Sequence, residues 1–228
     1  MLKSVFVTIT GILMLLSAAS AQELRTVSMN DKEIIVEYRP LVTRTNISGQ
    51  GSVFMFERST ALDVSHAGVP DMRFRRELIA LPALEGHSLE ILQADYRDID
   101  GVRIAPIPGY RRAGDIPEPS YERGDVYGVD ALLPRDIARL ENTGIARDRI
   151  VGDVVLHPVQ WNPSTETARV YTMIRFRIRL AGRSDDVVKG DFSGGRIPDV
   201  LNPDQAAQWK YMRTTALPRT AGTANLAS

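Results

Sequence analysis

An all-β domain, an antiparallel β-sandwich or barrel-like fold with a long irregular loop and a short C-terminal helix, is what this 228-residue chain predicts, and three observations carry the prediction. Val170, Thr172, Ile174, Phe176, Ile178 and Leu180 alternate with Tyr171, Met173, Arg175, Arg177 and Arg179. That is the period-two signature of a strand with one face in the core and the other in water. Ahead of it, residues 154–161 are rich in β-branched and aromatic side chains, and Asn162-Pro163-Ser164-Thr165-Glu166-Thr167 supplies turn chemistry. Pro163 fixes φ and the short polar side chains can bond nearby backbone, so the two runs read as one long antiparallel hairpin. Short strand-like runs separated by turns recur elsewhere, which is the spacing of a sandwich or barrel.

Taken in order, residues 1–21 open with Lys3, run through an apolar stretch and end in Ala19-Ser20-Ala21. This reads as a secretory signal cut between Ala21 and Gln22, with an apolar run too short for a membrane span. Residues 33–38, after the turn Asn30-Asp31-Lys32, and residues 52–57, entered through Gly49-Gln50-Gly51, read as strands. The loop Gly68-Val69-Pro70-Asp71 leads to strand-like runs at 74–81 and 88–96, and the blurred alternation of the latter predicts cover on both faces. Two prolines keep residues 102–108 extended. Residues 109–128, punctuated by glycines and prolines and carrying Arg111, Arg112 and Arg123, predict a long exposed loop of the kind that often carries function. Residues 133–142 predict a short helix, with Pro134 in its first turn and Gly144 as its stop. Pro158 has no N–H to give a ladder, so it interrupts the first strand of the long hairpin. Residues 182–195 read as a linker, Asn202-Pro203-Asp204 as the cap and first turn of a short helix, and 218–228 as a disordered tail. The domain division is therefore 1–21 signal, 22–182 β domain, and 183–228 linker, helix and tail.

Loss of the signal removes only Lys3 among charged residues, leaving 27 basic against 28 acidic, so bulk charge gives no case for nucleic-acid binding. With no cysteine in the chain, disulfides, thiolate metal sites and a cysteine nucleophile are excluded within it. The histidines, His66, His87 and His157, lack paired metal-ligand spacing, and no serine stands in a Gly-x-Ser-x-Gly setting. Asp95, Asp98 and Asp100 resemble a calcium loop but lack its later bidentate Glu, so they read as a solvated turn. No catalytic, metal or cofactor site is expected. Arg175, Arg177 and Arg179, on one face of a strand, are candidates to meet an acidic partner surface, against the alternative of a solvated sheet face.

Gly68-Val69-Pro70, Ile104-Ala105-Pro106-Ile107-Pro108 and His157-Pro158-Val159-Gln160-Trp161-Asn162-Pro163 resemble the propeptide domain of gingipain-type cysteine peptidases and of the related sortase-like component of type IX secretion. Val200-Leu201-Asn202-Pro203 with Trp209 is similar to that family's junction into the peptidase. Asp71-Met72-Arg73 stands where the first motif usually runs on to a second proline. The peptidase His and Cys are absent, so no catalytic residue carries over and the chain is not expected to be an enzyme. The resemblance implies an exported signal-plus-propeptide chain, truncated or stand-alone, that folds as a β-sandwich and holds a gingipain-like peptidase folded and inactive, in cis or in trans. It also implies that the arginines of residues 109–128 suit the primary pocket of Arg- or Lys-specific members. A free-standing cell-surface binding or adhesion module is the alternative.

Overall fold

The computed structural model describes residues 23–62, 64–113, 116–194 and 199–212, without the side chains of Val64, Arg112, Ala113, Ile116 and Pro117. The first half forms β1 (Leu24–Met29), β2 (Glu33–Tyr38), β3 (Thr43–Ile47), β4 (Gly51–Met55), β5 (Arg75–Leu81), β6 (Ser88–Ile99), β7 (Gly109–Ala113) and β8 (Ile116–Ser120). There follow β9 (Ala138–Ala146), β10 (Arg149–Leu156), β11 (Val159–Asn162), β12 (Thr167–Arg179), β13 (Val187–Lys189), the single helical turn α1 (Pro203–Ala206) and β14 (Trp209–Tyr211).

The alternating run is the axis of the domain. β12 pairs antiparallel with β6 along one edge and divides its other edge between β11, opposite residues 167–170, and β2, opposite residues 174–179. β1 extends this five-stranded sheet beyond β2, and β5, β10 and β9 form a second sheet. The two share one core. Val36 and Tyr38 of β2 and Ile174, Phe176 and Ile178 of β12 pack in one apolar cluster with Ile79 and Leu81 of β5 and Val154 and Leu156 of β10. A smaller cluster gathers Phe54, Ile104, Val159, Trp161 and Val170. The chain passes from the second sheet to the first at His157-Pro158, between β10 and β11. Pro158 thus interrupts the strand as its missing N–H requires, and its carbonyl accepts the Tyr171 N–H at 2.9 Å.

Several expectations are corrected. The alternation of β12 breaks at a bulge: register shifts between Tyr171 and Met173, leaving Thr172 exposed while Tyr171 and Met173 are buried. A bulge adds one unpaired residue and so moves the residues on either side to the other face. Phe176 and Ile178 keep their inward phase. β6 is not covered on both faces; it is an edge strand with Ile91 and Leu92 both 37% exposed. The helix expected at 133–142 is absent. Leu133 exchanges backbone hydrogen bonds with Trp161, and Ala138–Ala146 pairs with β10, whose open edge outweighs the weak helical spacing of Ile137 and Leu140.

The described residues of the stretch expected to be a linker and tail, up to residue 211, add a layer to the same domain. β13 pairs with β14, and Val187, Val200, Ala206 and Trp209 join the main core. Trp209 therefore lies in a strand and not in the C-terminal helix. Asn202 does not cap α1 with its side chain. Its amide accepts the Ala80 N–H at 2.8 Å and donates to the Ala80 carbonyl at 3.0 Å, standing in for a neighbouring strand on the free edge of β5.

Candidate functional site

Residues 109–128, expected to be irregular, form the ribbon β7–β8 followed by a short helical turn at Asp125–Gly128. Its base is built from the segments that carry the sequence motifs. Ile107 N–H donates to Val69 O at 2.8 Å, Asp71 N–H to Ala105 O at 2.9 Å and Gly68 N–H to Ile107 O at 3.0 Å, so the two proline-bearing loops zip together. Gly124 N–H then donates to Gly68 O at 2.9 Å. Gly68 has φ +85°, and a Cβ there would lie 3.3 Å from the Glu122 carbonyl, so this contact demands glycine. A second buttress starts at Trp161, which is buried and donates its indole N–H to the Val102 carbonyl at 2.8 Å. Tyr127 stands edge-on to it, ring centroids 5.4 Å apart, and donates its hydroxyl to the Ile104 carbonyl at 3.0 Å. Arg123 in turn lies 5.1 Å from the centroid of the Tyr127 ring.

The predicted arginines of the ribbon are thus placed unequally. Arg111 is ion-paired with Glu122 and donates to Ser120 Oγ at 3.3 Å. Arg123 is held by stacking, and the side chain of Arg112 lies outside the described residues. Tyr110, beside them, is 61% exposed. Sequence reasoning missed Glu122 and Tyr127; an aromatic in an otherwise polar, glycine-rich stretch was the available signal for the second.

The other three candidates, Arg175, Arg177 and Arg179, lie on the outer face of the five-stranded sheet, where their charge is met within the sheet. Arg177 pairs with Glu33 at 3.2 Å and Arg179 with Glu90 at 3.0 Å. Arg175 bonds Glu37, whose carboxylate also accepts Arg25 Nη2 and Arg39 Nε, both at 2.8 Å. Solvent does not reach Glu37, yet what covers it is guanidinium. Hydrogen bonds from Arg175 and then Arg39, reinforced by Arg25, hold its pKa down to about 2 from 4.5. A carboxyl lowered on folding stabilises the fold fully above its unfolded pKa and loses that contribution as pH falls through the folded one. Glu37→Gln is accordingly expected to cost about 2–3 kcal/mol near neutrality, below the range for wholly buried pairs because the arginines are half exposed. It should also flatten the acid limb between about pH 4.5 and 2, as urea denaturation across that range would show.

The remaining candidates do not converge. His87 accepts the Ala181 N–H and bonds the Ala83 carbonyl, a structural clasp, while His66 contacts Ser65. Asp95 and Asp98 belong to β6 and not to a solvated turn, and Asp98 pairs with Arg169 at 2.9 Å. Among the described residues there is no group of side chains able to hold a metal ion and no helix long and apolar enough to cross a membrane. Ala21 and Gln22 lie outside the described residues.

Two antiparallel sheets packed on one core, with the arginine-bearing ribbon β7–β8 attached, define an all-β domain. The chain belongs to the Propeptide_C25 family, whose model matches residues 23–191, and it is accordingly a propeptide domain and not an enzyme. It is similar to gingipain R2 of Porphyromonas gingivalis, 30% identical over 115 residues that make up 50% of this chain and 16% of the relative. It is also similar to gingipain R1 of the same species, 28% identical over 138 residues, 58% of this chain and 14% of the relative. The matched stretches thus span only 14% to 16% of the length of these gingipains. Among solved structures it resembles the complex of Porphyromonas gingivalis RgpB pro- and mature domains, with a TM-score of 0.62 and 25% identity over 71% of this chain and 85% of that one. A structure addressing the zymogenic latency of gingipain K from Porphyromonas gingivalis has the same fold, with a TM-score of 0.55 and 14% identity over 70% of this chain and 92% of that one.

Proposed function

We propose that this chain is an exported propeptide that assists the folding of a gingipain-like cysteine peptidase and inhibits it, with residues 1–21 as its export signal and 22–182 as the body of the propeptide. The observation that carries the reading is the family match over residues 23–191, supported by the likeness to a pro-domain solved together with its mature domain. The β7–β8 ribbon is the inhibitory element. An inhibitor must put a protruding segment into the partner's cleft while its scaffold stays rigid, and the paired loops and the Trp161–Tyr127–Arg123 stack provide that scaffold. Arg111, Arg112 and Arg123 supply the basic side chains for the primary pocket. Arg175, Arg177 and Arg179 form a secondary contact, weaker because their charge is already partnered.

The test is inhibition of a mature Arg- or Lys-specific gingipain by Arg111→Ala, Arg112→Ala and Arg123→Ala, singly and combined. A central anchor contributes on the order of 2 kcal/mol or more, so the triple variant should inhibit roughly 30-fold less tightly. Parent-like inhibition by the triple variant would remove the ribbon from the mechanism.

A further inference from the structure

Where the chain changes sheets, a cleft of about 350 Å³ opens, walled by Met72, Phe74, Val126 and Leu133, with His157, Arg76 and Arg139 as the polar part of its lining. Arg139 and Arg76 are matched by Glu141 and Asp153 at 2.7 to 3.6 Å, so they leave the cleft without surplus charge. His157 is only 6% exposed, and its ring is tilted against Phe74 with centroids 5.9 Å apart. Arg139 Nη1 lies 3.3 Å from His157 Nε2. Arginine can only donate, so Nε2 accepts and the imidazole proton sits on Nδ1. Burial, with Arg139 beside it, pushes the His157 pKa down to about 4, which keeps the ring neutral near pH 7. The buried Nδ1 has no protein hydrogen-bond partner. Apolar walls and balanced charge are the features of a site for a neutral apolar group.

Position narrows the occupant. Val126 lies in the helical turn Asp125–Gly128 that comes after the ribbon, and Val69, also in the lining, belongs to the loop that pins the ribbon's base. A partner gripped by the ribbon is therefore presented to the mouth of the cleft. We propose that the cleft is a second anchor point, taking one aliphatic or aromatic side chain of the peptidase domain against the His157 ring and its apolar walls. This rests on the propeptide reading above.

The experiment compares binding of the mature peptidase domain by the parent chain and by Val126→Trp, which narrows the cleft and leaves the ribbon arginines in place. Alongside it, the His157 Nδ1–H resonance of the parent is followed by NMR as the peptidase is added. The expected result is at least a tenfold loss of affinity in Val126→Trp at an unchanged melting temperature, with a shifted His157 resonance on binding. Parent-like affinity of a folded Val126→Trp, or a His157 resonance that does not move when the parent binds, overturns the second anchor and leaves the ribbon reading intact. Failure of the parent to bind overturns both readings. A resonance that shifts with the concentration of the free chain assigns the cleft to a second copy and also overturns the proposal.

Discussion

Phe176→Ala should lower the unfolding free energy by about 3–5 kcal/mol, the transfer term for a buried aromatic plus the cavity it leaves. Phe176 is fully buried at the middle of β12, with Val36 of β2 opposite it on one side and Ile91 of β6 on the other. Its ring belongs to the cluster in which β5 and β10 of the second sheet also pack, so the cavity opens at the join of the two sheets, where neither can collapse alone. Urea unfolding should show a lower midpoint at an unchanged slope. Thr172→Ala, on the same strand but exposed at the bulge, should stay within about 0.5 kcal/mol of the parent. A Phe176→Ala protein as stable as the parent would contradict the inward phase of the strand.

Trp161→Ala should cost a similar amount, about 3–5 kcal/mol, and it should also act at a distance along the stack. Loss of the indole strips the Val102 carbonyl of its donor and Tyr127 of the ring it stands against. Arg123 rests on Tyr127, so the foot of the ribbon loses the ring behind its second buttress and leans more on the Gly68–Gly124 and Tyr127–Ile104 hydrogen bonds. Hydrogen exchange should therefore quicken at residues 124–129 more than in β2 or β12. Trp161→Phe keeps most of the bulk and should cost about 1–3 kcal/mol for the stranded carbonyl. Uniform quickening across the chain would disconnect Trp161 from the ribbon.

The parts of this fold that were legible in the sequence are those whose signal is local. The β11–β12 hairpin announces itself by alternation and by Asn162, whose side chain accepts the Ser164 N–H at 3.0 Å, and Pro158 marks the change of sheet. β1 and β3 were not legible, because an edge strand such as Thr43–Ile47 buries almost nothing and takes its order from the strand beside it. The ribbon was misread because Pro117 and Pro119 suggest a loop. On a two-stranded ribbon they are tolerated, since each strand has an open edge where no ladder hydrogen bond is lost to a proline. The C-terminal layer was misread for a related reason: a polar, glycine-bearing run gives no hint that β13 and β14 will pair and bring Val187 and Trp209 into the core. At the site, the arginines were visible as residue types, but their partners were not. Glu122 for Arg111, Tyr127 for Arg123 and Glu37 for Arg175 are all set by the fold, the last of them 138 positions away.

Titration of the purified chain against a mature gingipain domain, with residual peptidase activity as the readout, shows whether this propeptide domain inhibits such a peptidase. Saturable inhibition is expected to reach completion near one equivalent and to be weakened by the ribbon substitutions and by Val126→Trp. Full peptidase activity in the presence of a large molar excess of folded chain would contradict it.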